Sequence, residues 1–270
     1  MITIAEMLRP RPSVFSDTAR EDVLNLSDFA EGRIDSEKFF SENFRTQGMN
    51  SLFDMAFKRF KGDSDAGVIK LTQAMGGGKT HNMLALALLA ADEQLRERIL
   101  DKRYHGIGTI KVVTFSGREN ADFGIWGSIA EQIGKRELFG GYYSPLKAPG
   151  ESAWINLLKG QKVLLLLDEL PPYLENARSI TVGNSDLSRV TVTALSNLFS
   201  ALGKEQLSNV CLVFSDLKAA YESGSQLLQS SFKELEAEAN RIAIEIAPVA
   251  LNSDEVYSIL RKSIFEYGYL

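Results

Sequence analysis

The pattern of apolar and polar positions changes near residue 66. Upstream of it, apolar residues recur at helical spacing between turns. "GMNSLFDMAFKRF" (48–60) puts Met49, Leu52, Phe53, Ala56, Phe57 and Phe60 on one helical face. "SEKFFSENF" (36–44) opens on Ser36, a residue type that caps helices. "RPRPSVF" (9–15) is predicted to be extended, because proline disfavours helix in the residue before it.

Downstream, short apolar runs alternate with helical patterns. Strands are predicted at "GVIKLT" (67–72), "TIKVVTF" (109–115), "KVLLLLDEL" (162–170), "NVCLVFSD" (209–216) and "RIAIEIAPV" (241–249). The third is apolar on both faces, as a central strand of a parallel sheet is. Helices are predicted after Lys79, where the chain is apolar nearly all round, and over 123–134, 186–203 and 225–239. The stretch 136–150 reads as a long loop. Asn252, with Glu255 three residues on, reads as the capping box of a final helix. Strand–helix alternation predicts an α/β domain with a largely parallel sheet.

Composition adds limits. The chain has 270 residues, 44% hydrophobic and 24% charged, with net charge −5. That balance attracts neither nucleic acid nor an anionic membrane. The basic cluster "KRFK" (58–61) reads as a solvated helix face. The single cysteine, Cys211, sits in an apolar run, so it reads as a buried hydrophobe and a disulfide within the chain is excluded. Two histidines are too few for a histidine-based metal site. The longest apolar run, "MLALALLAA" (83–91), is too short for a bilayer, and the N-terminus lacks the order of a signal peptide. A cytoplasmic chain is expected.

"LTQAMGGGKTH" (71–81) carries the first candidate chemistry. A phosphate loop uses glycines so that successive backbone N–H groups form an anion nest at a helix N-terminus. Gly76, Gly77 and Gly78 supply the glycines, Lys79 a phosphate contact and Thr80 a magnesium-binding hydroxyl. Gln73 stands where the general pattern has its first glycine. The plainer reading is a glycine-rich turn without chemistry; a strand before and a helix after favour the phosphate loop.

"VLLLLDE" (163–169) carries the second. Acids at the C-terminal end of a strand in an open parallel sheet face the ligand edge. Asp168 is suited to hold magnesium, and Glu169 to orient and deprotonate a water. The alternative is that both acids cap the next helix, before Pro171. Ser215, at the end of the fourth strand, is either a γ-phosphate sensor or an ordinary loop residue. Arg241, before the fifth strand, is either a surface residue or an arginine finger reaching a neighbouring subunit's nucleotide; Arg118 and Arg189 are rivals.

In this order these elements resemble those of the AAA+ ATPases. The resemblance is closest to a bacterial and archaeal group, the uncharacterised-domain family numbered four-nine-nine, with the PglY/BrxC-type ATPases of phage-exclusion systems as relatives. It rests on "RPSVF" (11–15), "FRTQGMNSL" (44–52), "LTQAMGGGKTH" (71–81), "VVTFSG" (112–117), "IWGSIAEQIG" (125–134), "APGESAWINLL" (148–158) and "LLLLDELPPYL" (164–174). The resemblance implies a P-loop NTPase fold with sheet order 5-1-4-3-2. It implies a helical N-terminal extension over 1–62, an ATPase core over 63–250, and the start of a helical lid over 251–270. Lys79, Thr80, Asp168, Glu169 and Ser215 match the family's functional positions, and His81 belongs to the nucleotide-binding stretch. ATP and Mg2+ are the implied ligands. A missing first glycine is usual in this group. Members are longer, so a truncated chain is expected, with oligomers, DNA methyltransferase or helicase partners, and any DNA contact, belonging to the full-length setting.

Three functions follow as expectations. One is an ATP-hydrolysing module of an anti-phage assembly. Another is a nucleotide-binding scaffold or switch with little hydrolysis. The third, a small-molecule phosphotransferase, needs an arginine-rich lid, and residues 171–190 hold only Arg178 and Arg189.

Overall fold

The computed structural model describes residues 8–11, 15, 24–72, 77–118, 124–143, 146–216, 226–249 and 254–267. Five parallel strands form the central sheet: β1 (Val68–Leu71), β2 (Lys111–Ser116), β3 (Val163–Asp168), β4 (Val210–Ser215) and β5 (Ala243–Ile246). Across the sheet they lie β2-β3-β4-β1-β5. Every neighbouring pair is parallel.

Alternation along the strands sorts their side chains into two cores. Val163, Leu165 and Leu167 of β3 face one layer, with Val113, Phe115, Leu212 and Phe214. The helices of that layer are α3 (Gly124–Ile133), α4 (Glu151–Leu158), α5 (Leu170–Ala177), α6 (Leu187–Leu202) and α7 (Gln226–Ile242). Leu164 and Leu166 face the other layer, with Ile69, Leu71, Cys211 and Val213. There they meet α1 (Gln47–Lys61) and α2 (Lys79–Ala91). Both faces are covered, which is why β3 and β4 are buried along their whole length. The apolar surround of α2 has the same cause: Asn82 to Ala90 are all buried.

The six apolar residues read onto one face of α1 are all buried. This helix is knitted to the sheet. Its N-cap Thr46 accepts from the Met49 N–H at 3.0 Å and donates to the Pro248 carbonyl at 2.6 Å. A side chain at Gly48 would put a Cβ 2.0 Å from the Ala247 carbonyl oxygen.

Several local expectations are corrected. Asp35, not Ser36, caps the helix Ser36–Glu42, through the Lys38 N–H. The stretch 136–150 is not all loop: Arg136–Tyr142 is a 3-10 helix whose Phe139 is buried against Trp154. The fifth strand is shorter than 241–249, because Arg241 and Ile242 still belong to α7. A hairpin, Thr181–Val182 with Ser185–Asp186, precedes α6. Asn252 lies outside the described residues. Glu255 opens α8 (Glu255–Ile264), and its side chain accepts from the Gln47 N–H at 2.5 Å. Phe265–Tyr267 is a strand, paired antiparallel with Leu8–Pro10. Among the described residues no helix is long and apolar enough to cross a membrane.

The "KRFK" cluster divides. Lys58 pairs with Asp54 at the surface, whereas Arg59 is buried. Its guanidinium donates to the carbonyls of Val210, Leu202 and Leu207 at 3.1, 3.2 and 2.9 Å. It thereby caps the end of α6 and the entry to β4, which no local pattern signals. Arg59→Met strands these acceptors, so a stability loss of about 3 kcal/mol is expected. Urea unfolding reads it as a lower midpoint at unchanged slope. An unchanged midpoint would mean that water replaces the guanidinium.

Candidate functional site at the C-terminal edge of the sheet

Parallel strands bring their C-terminal ends to one edge. The register sets Ser116 beside Asp168, and Leu71 beside Ser215. The polar residues Ser116, Asp168, Ser215 and Asp216 are buried together at this edge, where apolar strands give way to loops.

α2 starts at the same edge. Its N-cap, Gly78, has φ 78° and ψ 19°, a left-handed conformation that favours glycine. The Asn82 side chain donates to the Gly78 carbonyl at 2.9 Å and fixes that turn. Lys79 and Thr80 are the first two residues of the helix. The Thr80 hydroxyl donates to Asp168 Oδ2 at 2.5 Å. The glycine-rich segment and the end of β3 are thus in contact, although they lie 88 residues apart in sequence. Gln73 and Gly76 lie outside the described residues; Gly77 is described.

Glu169 has φ 53° and ψ 38°, and is the one positive-φ residue other than glycine among those described. A left-handed conformation costs a side-chain-bearing residue about 1–2 kcal/mol. Four contacts hold it. The Glu169 N–H donates to Asp168 Oδ1 at 2.9 Å and to Ser215 Oγ at 3.3 Å. The Ser116 hydroxyl donates to Glu169 Oε2 at 3.3 Å. Arg118 Nε donates to Oε1 at 2.6 Å. Glu169 occupies the N-cap position of α5, yet its side chain makes no capping bond. The helix-cap reading therefore fails for Glu169, and its carboxylate is turned across the sheet edge toward β2.

Gly117 allows this arrangement. Its N–H donates to the Asp168 carbonyl at 2.9 Å. A Cβ on Gly117 would lie 1.8 Å from the Glu169 carbonyl oxygen. The close approach, and not an unusual φ, demands glycine here. The Arg118 side chain is 73% exposed and that of Glu169 35%. Such a pair contributes only about 0–1 kcal/mol to stability. The bond to Glu169 raises the Arg118 pKa above its ordinary value.

The other candidates fall elsewhere. Half-buried His81 stacks on Phe39, with ring centroids 4.6 Å apart, and ties α2 to the N-terminal helices. Arg241 pairs with Glu238 at 3.1 Å in the last turn of α7. It lies two residues before β5 begins, at the opposite edge from Asp168, so within one chain it is not part of this cluster. Arg189 lines an open groove with Lys147, Val182 and Thr193, apart from the carboxylates. Cys211 is buried, and burial pushes its thiol up to about 12, so it is no nucleophile. Ser116 and Gly117 escaped the reading of individual residues; a polar residue and a glycine at a strand end were the available signal.

Burial lowers the His81 pKa below its ordinary value. The unfolded chain then binds more protons as pH falls through the ordinary histidine range, so stability decreases there. His81→Phe keeps a ring on Phe39 and removes that proton uptake. Thermal midpoints of both proteins between about pH 8 and pH 5 are expected to diverge, the wild type losing more. Parallel curves would place the acid sensitivity elsewhere.

Residues 122–250 match the DUF499 N-terminal domain. The match supports the DUF499 family. It runs from the start of α3 past β5, and so contains Asp168, Glu169, Ser215 and Arg241. The glycine-rich segment, Gly117 and Arg118 lie upstream of the matched DUF499 region. No curated protein matches the chain.

What could the site hold? The donors suit a hard cation shared with phosphate: one hydroxyl and one carboxylate already in contact, at a helix N-terminus. Among the described residues no three His, Cys, Asp or Glu side chains gather as a metal site. Phosphate oxygens and water would complete the shell, the usual pattern for magnesium on nucleotides.

Proposed function

We propose that this chain is an ATP-binding, magnesium-dependent ATPase module of the AAA+ type, with a P-loop NTPase fold. The observation that carries the reading is the contact of Thr80 with Asp168, which joins the helix after the glycine-rich loop to the acidic end of β3. The sheet order β2-β3-β4-β1-β5 and the left-handed Gly78 support it. In this reading Thr80 and Asp168 would hold the metal, and Lys79 would contact the terminal phosphates. Magnesium, when bound, offsets phosphate charge. Glu169 orients a water and takes its proton as the water oxygen bonds to the γ-phosphorus. The bond from that phosphorus to the β,γ-bridging oxygen breaks, and ADP leaves with the electron pair. Ser215 supports the Glu169 backbone, 3.3 Å away, at the same edge of the sheet. In this reading Arg241 acts in trans, from a neighbouring subunit of an oligomer.

The second reading, a nucleotide switch with slow hydrolysis, is favoured by two contacts. Both carboxylate oxygens of Glu169 are engaged, one by Arg118 and one by Ser116. A setting in an anti-phage assembly, alongside methyltransferase or helicase partners, rests on the resemblance to PglY/BrxC-type ATPases alone.

Lys79→Ala is the test of the site. Loss of a charge-assisted phosphate contact is expected to cost about 2–3 kcal/mol, or about a hundredfold in Kd for Mg-ATP. Calorimetric titration measures it. Unchanged affinity would remove the nucleotide assignment.

A further inference from the structure

We propose that Gln132 is a guard on the outer edge of β2, and that the surface it closes fits the same edge of a second copy of this chain. The inference does not depend on the nucleotide reading.

β2 is the last strand on its side of the sheet, with β3 as its one strand neighbour. The N–H groups of Lys111 and Gly117 point to β3, where they donate to the carbonyls of Lys162 and Asp168 at 2.9 Å each. Successive residues of a strand direct their backbone groups to alternate sides, so Val112, Thr114 and Ser116 direct theirs away from the sheet. A row of outward N–H and C=O groups is a template on which another chain can pair.

Gln132, in α3, fills the middle of that row. Its Oε1 accepts from the Thr114 N–H at 3.0 Å, and its Nε2 donates to the Thr114 carbonyl at 2.7 Å. A primary amide carries a donor and an acceptor side by side, as a peptide does, so this side chain stands in for a neighbouring strand. The other Nε2 hydrogen goes to Ser128 Oγ at 3.2 Å, one turn back in α3, which holds the amide in place. The outward backbone groups of Val112 and Ser116 have no hydrogen-bond partner among the described residues.

The edge is self-complementary. About a twofold axis through Thr114, β2 pairs antiparallel with its own copy. Val112 then faces Ser116 and Lys111 faces Gly117, so no like charges oppose. β2 is six residues long, the length of an ordinary strand. The other outer strand, β5, has four residues and carries Glu245, and a short strand and a charge both discourage pairing. β2 holds no proline and no charge after Lys111. The Gln132 amide takes their part.

The test is sedimentation velocity over a concentration series, with amide hydrogen exchange at Thr114 read alongside. In the wild type the Thr114 amide is expected to be protected at every concentration. Gln132→Ala is expected to strengthen self-association about ten- to hundredfold, the equivalent of two hydrogen bonds that no longer compete for the edge. Its Thr114 amide should exchange fast when dilute and slowly when concentrated. Thr114→Pro, added to Gln132→Ala, removes the central donor at an outer edge, where proline is tolerated. Self-association should then return to the wild-type level.

Association that persists in the double variant would come from another surface or from unfolding, and would overturn the proposal. So would a Gln132→Ala protein that associates no more than the wild type. A wild-type Thr114 amide that exchanges as fast as in dilute Gln132→Ala would show that the amide closes nothing, and overturns it too.

Discussion

Glu169→Gln is expected to keep nucleotide binding and to lower turnover by about 10²–10⁴-fold, the usual contribution of a positioned general base. The amide has the same shape and cannot take the proton from water. Within the proposed ATPase reading, geometry favours Glu169 over Asp168 as the base. Asp168 is buried, and its two oxygens already serve the Thr80 hydroxyl and the Glu169 N–H. The Glu169 carboxylate is partly exposed and held by side chains that can move. The backbone strain at φ 53° also belongs to this residue and to no other non-glycine described. Strain of this kind clusters where a side chain must be aimed, and the surroundings here over-determine it through Ser215 and Asp168. The measurement is steady-state phosphate release at saturating Mg-ATP, with Kd from titration. Turnover that survives Glu169→Gln would mean that the base is another group. Loss of both binding and turnover would mean that Glu169 is structural.

Gly117→Ala is expected to be among the most damaging small substitutions at the described glycines. The added methyl would sit 1.8 Å from the Glu169 carbonyl oxygen and 2.6 Å from its carbon. Both are backbone atoms, so no rotamer change relieves the clash. Overpacking of this kind costs about 1–3 kcal/mol. The way out is separation of β2 from the β3 exit, which breaks the Gly117–Asp168 bond and swings Glu169. Stability and turnover should therefore fall together, whereas Glu169→Gln should lower turnover without lowering stability. Gly160→Ala is a control for glycine loss as such, since nothing lies within 4 Å of its Cβ position, although its φ of 84° carries a strain of its own. A Gly117→Ala protein with wild-type melting and turnover would show that the edge yields without cost.

Much of this molecule could be read along the chain. The strands at 67–72, 162–170 and 209–216 each contain an observed strand, and 109–115 covers all of β2 but its last residue, because a short, mostly apolar run buried between two layers has few other uses. The α1 face was legible for the same reason: its apolar period matches one side of a helix. Thr80, Asp168 and Glu169 were legible as candidates because glycine-rich turns and acids at strand ends have local signatures.

Contacts between distant segments were not legible. Arg59 looked like part of a surface cluster, since its neighbours are lysines; only packing on β4 and α6 made its guanidinium a buried cap. The Arg136–Tyr142 turn was hidden among glycines and tyrosines, and Phe139 gains its reason only from Trp154. Leu8–Pro10 and Phe265–Tyr267 lie at opposite ends of the chain, and no periodicity links them. The partner of Arg118 belongs to the same class. Fifty-one residues separate it from Glu169, and a parallel sheet that aligns Ser116 with Asp168 brings the two within 2.6 Å. The sequence by itself determined which segments become strands and helices, because that depends on the local period of burial. The tertiary structure alone decided which charged groups meet, because that depends on strand order, register and the one glycine over which two strand ends can close.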